Sequence, residues 1–70
     1  MKVIFTTDIK EYDNVNFFPQ NLTIPPRIGE KVCVLDKWYD YFDEKKLSHR
    51  LKVVDVVWKD YHVCCVLSYD

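Results

Sequence analysis

Glycine is nearly absent from this chain, Gly29 being the only one in 70 residues. One glycine cannot build the loop in which successive backbone N–H groups cradle a phosphate, so nucleotide-binding loops of that kind are excluded. Cysteine is scarce and odd in number, at three. Cys64 and Cys65 are adjacent, and neighbours on a strand point to opposite faces. They are poor disulfide partners, and Cys33 can pair with only one of them. Neither C-x-x-C nor a regular cysteine spacing occurs. Reduced thiols packed as small apolar groups are the expectation, in a reducing cytosol, which gives a cytoplasmic protein. Charge of one sign is missing too: ten basic and eleven acidic residues leave a net charge of −1. That balance supplies no whole-domain field toward nucleic acid or anionic lipid. No apolar run approaches the length of a membrane span. The start, MKVIFTTDIKEYD, is interrupted by Asp8 too soon for the apolar region of a signal peptide. No membrane partner is expected.

Aromatic side chains and alternation are present in strength. Two Trp, five Tyr and four Phe supply apolar bulk to a single domain over residues 1–70, close to the lower limit of a self-sufficient core. Leu51–Trp58 and Tyr61–Tyr69 carry the clearest pattern. In the second run Tyr61, Val63, Cys65, Leu67 and Tyr69 recur with period two, the mark of a half-buried strand. A two-residue turn at Lys59-Asp60 sets Trp58 against Tyr61, Val56 against Val63 and Val54 against Cys65. The first run is apolar on both faces, a pattern that goes with a bend or bulge. Lys2–Ile9 alternates as a first strand, with Val3 and Phe5 on one face. Leu22–Ile24 alternates briefly before Pro25-Pro26, which stops a strand or makes it an edge. Glu30–Asp36 reads as a further strand with Val32 and Val34 on one face. Asp36–Ser48 reads as a connection containing one helical turn, since Trp38, Tyr41, Phe42 and Lys45 have helical spacing.

The segment Pro26-Arg27-Ile28-Gly29-Glu30-Lys31-Val32 entering a strand, together with the tight turn Trp58–Tyr61, is similar to the layout of SH3-like small barrels. The resemblance implies an all-β fold: a small antiparallel, partly open barrel of about five strands closed by a C-terminal hairpin. Trp38-Tyr39-Asp40-Tyr41 resembles the Tyr-Asp-Tyr element of true SH3 domains, but here it follows the Gly-Glu strand rather than preceding it. The ligand pocket of true SH3 domains is therefore not transferred to these residues.

Chemistry-bearing clusters are few. His62 and Cys64 share a strand face, and the expected register sets Asp55 opposite Cys64, but no further ligand accompanies them for a metal or a Cys/His nucleophile. No serine nucleophile motif occurs. The expectation is a non-enzyme with no cofactor and no metal. Trp38, Tyr39, Tyr41 and Phe42 stand within five positions, more ring surface than one small core can take. One or two of them in water would mark a binding surface for a protein partner; all of them over an open barrel end would form a lid. Lys45, Lys46 and Arg50 lie in the one basic stretch, Lys45–Lys52, where phosphate contacts beside stacking rings would suit a single-stranded nucleic acid. Protein binding through Trp38–Phe42 and a sheet edge is the first expectation, and nucleic-acid binding the alternative. A homodimer through an outer strand is a further expectation, since so small a core gains from added burial.

Overall fold

The computed structural model, which describes residues 2–70, places four strands in one curled sheet. These are β1 (Lys2–Thr7), β2 (Lys31–Cys33), β3 (Arg50–Trp58) and β4 (His62–Ser68), in the spatial order β1-β4-β3-β2. One short helix, α1 (Tyr39–Glu44), and three single 3-10 turns complete the regular structure. The fold is thus broadly of the β class, with four strands among the described residues instead of about five. Leu22–Ile24 forms no strand, as Pro25 and Pro26 remove the donors that a ladder needs. No helix of the described residues is long and apolar enough to cross a membrane.

The expectation of a purely antiparallel sheet is corrected at β1, which runs parallel to β4 with Val3 beside Val63 and Phe5 beside Cys65. A parallel pair cannot be closed by a hairpin and needs a long crossover. Here residues 8–61 join the pair, and their first part, residues 8–30, crosses the inner face from β1 to β2 at the opposite edge of the sheet. Tyr12, Phe17 and Phe18 from this segment are buried against Val3, Phe5 and Leu67 of the sheet.

The hairpin register is also corrected. Trp58 pairs with Val63 and Val56 with Cys65. Lys59 N–H donates to the His62 carbonyl at 2.8 Å, so Asp60-Tyr61 is the two-residue loop. A shift of two positions leaves every side chain on its expected face. The shift of one at the bulge between Val53 and Asp55 does not. It places Val53 opposite Leu67 and turns Leu51 and Val53 into the core, both fully buried, while Val54 is exposed.

Asp36–Trp38 and α1 lie in the connection between β2 and β3. Phe42 is fully buried, stacked on Tyr12 at 5.1 Å and edge-on to Phe17 at 5.0 Å. The helix stops where Lys46 takes φ +59° and Leu47 N–H returns to the Phe42 carbonyl, a left-handed cap that glycine more often supplies. The lone glycine serves elsewhere. Glu30 N–H donates to the Arg27 carbonyl at 3.1 Å, and Gly29 within that turn has φ +94°, the left-handed conformation required at the third turn position. Its N–H donates to the Val53 carbonyl at 2.8 Å, which fastens the turn to β3.

Candidate functional site

β2 is three residues long and pairs on one side only, with Lys31 opposite Lys52, Val32 opposite Leu51 and Cys33 opposite Arg50. Its backbone polarity follows from the flanking bonds. Val53 N–H donates to the Glu30 carbonyl and Val34 N–H to the His49 carbonyl, both at 2.8 Å. Bonding sites alternate along an antiparallel pair, so the even residues 30, 32 and 34 bond to β3. The N–H and C=O groups of Lys31 and Cys33 point to the open side and have no backbone partner outside the sheet among the described residues. The next outward amide, that of Leu35, already donates to the Phe17 carbonyl at 2.7 Å. The chain itself thus uses this edge once.

Alongside the edge runs a groove of about 840 Å³, whose lining includes Leu22, Ile24, Pro25, Pro26 and Leu35. Ile24 is 79% exposed, an apolar side chain left in water at the lip. The edge therefore combines unpaired backbone with an apolar wall, which is the chemistry needed to hold an extended chain.

The electrostatics of this part of the sheet are one-sided. Val32 is buried, so Lys31 and Cys33 project to the opposite, outer face, as do Arg50 and Lys52 across from them. Asp70 forms an ion pair with Lys31. The hydrogen bond from Lys31, reinforced by the charges of Lys31, Lys52 and Arg50, holds the Asp70 carboxyl below its ordinary pKa against a smaller opposing effect of desolvation.

A second cluster lies where β2 meets α1, around a hollow of about 500 Å³ lined by Cys33, Tyr39, Asp43 and His49. The Tyr39 and His49 rings stack at 4.1 Å, and His49 Nε2 lies 2.6 Å from Asp43 Oδ1. Desolvation foremost, then the neighbouring Cys33 and Asp36, raises the Tyr39 hydroxyl pKa. His49 is turned to the Asp43 carboxylate instead of to the thiol, so the cluster ties α1 to the start of β3.

The aromatic run is divided by the fold. Phe42 belongs to the core, and Trp38 lies edge-on to Phe17 at 4.9 Å with its indole N–H donating to the Asn16 carbonyl at 3.2 Å. Tyr39 is stacked on His49, and Tyr41 is 39% exposed beneath the Lys45 ammonium at 5.1 Å. Lys46 caps the helix end, and Arg50 stands on the outer sheet face opposite Cys33. Lys45 and Lys46 therefore stand together at the end of α1, and Arg50 on β3. Asp55 stands opposite Val66, and Cys64 opposite Val57, so the two-position shift set by the Asp60-Tyr61 loop undoes the expected Asp55–Cys64 pairing. The sequence assigns Lys31 and Cys33 no site role and marks Leu22–Ile24 only as a brief strand or edge; Pro-Pro just ahead of a short strand is the signal that points to this edge.

Comparison of the chain with protein-family models, with curated proteins and with solved structures finds no match in any of the three.

Proposed function

We propose that this chain is a protein-binding module that takes an extended segment of its partner as an added strand on β2. The observation that carries the reading is the outward-facing backbone of Lys31 and Cys33 beside an apolar groove. Two donors and two acceptors give up to four backbone bonds, each contributing about 0.5–1.5 kcal/mol net. Burial of Ile24 adds about 1.5–3 kcal/mol when fully covered, and Leu22, already half-buried, adds less. Set against the cost of association, these contributions suit a weak complex, roughly micromolar to millimolar. The same reading takes the curled sheet as an SH3-like small barrel, supported by the Pro26–Val32 entry and the tight final hairpin. It takes the protein as cytoplasmic, supported by three free thiols.

Cys33→Pro tests the reading directly. Proline at this position removes an outward N–H and leaves the bonds to β3 in place, which an edge strand tolerates. Peptides selected from a displayed random library are expected to lose affinity at least about tenfold on Cys33→Pro, the loss of contacts worth about 1.4 kcal/mol. Cys33→Ser is expected to retain it. Amide exchange at Lys31 and Cys33 should slow in the complex. Undiminished binding by folded Cys33→Pro, with no slowing at these two amides, refutes the edge.

A further inference from the structure

The outer face beside β2 holds Lys31, Arg50 and Lys52 within one cross-strand neighbourhood. The carboxylate of Asp70 forms an ion pair with Lys31. Nearby carboxylates of the groove are turned elsewhere: Glu30 Oε1 accepts from Arg27 N–H at 2.6 Å, and Asp36 lies beside the Tyr39 hydroxyl. A strand added to β2 continues the pleat, so its side chains alternate between the two faces. Those on the inner face fall on the side of buried Val32, and the groove there is lined in part by Leu22, Pro25 and Pro26. Those on the outer face come beside Lys31 and Cys33, with Arg50 and Lys52 one strand further in.

We infer that the segment recognised at the β2 edge alternates apolar with acidic residues, its carboxylates seated on the Lys31–Lys52–Arg50 cluster, whose Lys31 is held by Asp70 in the free protein. This rests on the edge-binding reading above and adds the chemistry of the partner. Asp70 acts as a built-in competitor. It satisfies Lys31 while the edge is empty and must be displaced, or share the cations, when an acidic strand arrives. Both partners of that ion pair are substantially exposed, at 38% and 52% for Lys31 and Asp70, so exchange requires no unpacking. Opposite-charge cross-strand pairs select a partner without adding much to a surface ladder, and the expected preference is accordingly modest.

Three short capped peptides test this, each with valine at alternate positions and with glutamate, serine or lysine between. Their affinities are read by fluorescence anisotropy at low and high salt. The glutamate peptide is expected to bind about fivefold to tenfold tighter than the serine peptide at low salt, with the margin shrinking at high salt. The lysine peptide is expected to be weakest. Asp70→Asn should tighten the glutamate peptide about threefold and leave the serine peptide unchanged, an effect of the size expected for one exposed charge. Lys31→Gln combined with Lys52→Gln should erase the margin. Equal binding of the glutamate and serine peptides, both lost in Cys33→Pro, overturns the acidic preference and leaves the edge reading standing. Absence of binding by all three peptides, or glutamate-peptide binding that leaves amide exchange at Lys31 and Cys33 unslowed, overturns both.

Discussion

The two ends of the β3–β4 hairpin are made of similar residues and have opposite fates. At the base, Leu51, Val53 and Leu67 are between 0% and 1% exposed. At the tip, Trp58 is 62% and Tyr61 88% exposed, although both side chains are larger than the buried Val53 at the base. The difference lies in what flanks β3. β2 runs beside Arg50–Lys52 only, so from Val54 onward β3 has a neighbour on one side alone. The crossover and the α1 connection bring their rings to the covered part of the sheet. The tip overhangs it, in keeping with extents of 38 × 21 × 18 Å. Position relative to the crossover, more than ring size, decides which aromatics hold this fold together.

Truncation at each end is the strongest way to break that contrast. Phe42→Ala removes the ring on which Tyr12 and Phe17 both pack, and the expected loss is about 3–5 kcal/mol. In a domain whose total stability is about 5–10 kcal/mol, this leaves a marginal fold. Trp58→Ala is expected to cost less than about 1 kcal/mol, as for other surface changes. Urea denaturation of the two variants measures both. If Trp58→Ala costs as much as Phe42→Ala, the tip is covered in solution, and a melting temperature that rises with protein concentration would assign the cover to a second copy.

A smaller effect probes the covered side through its turn. No heavy atom lies within 4 Å of a Cβ built on Gly29, so Gly29→Ala meets no clash. What it meets is φ +94°, and the left-handed conformation costs a Cβ-bearing residue about 1–2 kcal/mol. Thermal denaturation should show that loss with the hairpin tip unaffected, and the Gly29–Val53 bond should exchange faster. A loss below about 0.5 kcal/mol, the range of neutral surface changes, would mean that the turn relaxes and that β2 is held by its ladder alone.

What could be read from the chain alone divides along the same line. Strands with strict alternation were legible: β1 with Val3 and Phe5 inward, β2 with Val32, and β4 with Val63, Cys65 and Leu67. The apolar residues on both faces of β3 pointed to a bulge, and one is present at Val54. The parallel pairing of β1 with β4 was not legible, because alternation records which face is buried and carries no sign of strand direction. Val15–Phe18 reads as a short extended piece whose aromatics fold onto the core, and Phe17 and Phe18 are buried there, although the piece is a single 3-10 turn. The burial of Tyr12 was not legible, because it depends on where a crossover passes, which local periodicity does not encode. The β2 edge was hidden for a related reason. An outward amide becomes visible only when the neighbouring bonds fix which residues of the strand face inward. The Trp38–Phe42 run was conspicuous by composition, yet Phe42 and Trp38 are engaged inside the molecule.

The finest test of the contrast is a single oxygen. Tyr12 is 1% exposed, and its hydroxyl donates to the Ser48 carbonyl at 2.7 Å, linking the crossover to the loop leading into β3. Tyr12→Phe keeps the ring stacked on Phe42 and removes one hydrogen bond, so the expected cost near neutral pH is about 0.5–1.5 kcal/mol. Tyr61→Phe at the tip should fall within about 0.5 kcal/mol of the parent. The pH dependence separates the two more sharply. Burial foremost, with Tyr69 nearby, raises the Tyr12 pKa above its ordinary value of 10.0, against a smaller lowering by the Ser48 carbonyl contact. Below pH 10 the folded and unfolded chains both keep the phenolic proton, and the contribution of Tyr12 is complete. As pH rises past 10, the unfolded chain releases that proton while the folded chain retains it. The folded state then binds more protons, and stability falls with pH. Urea midpoints taken from pH 8 to pH 11 should therefore decline in the parent above about pH 10 and decline less steeply in Tyr12→Phe. Parallel declines in the two proteins would show that the Tyr12 hydroxyl ionises freely in the folded state, and that the covered end of the hairpin is open to water.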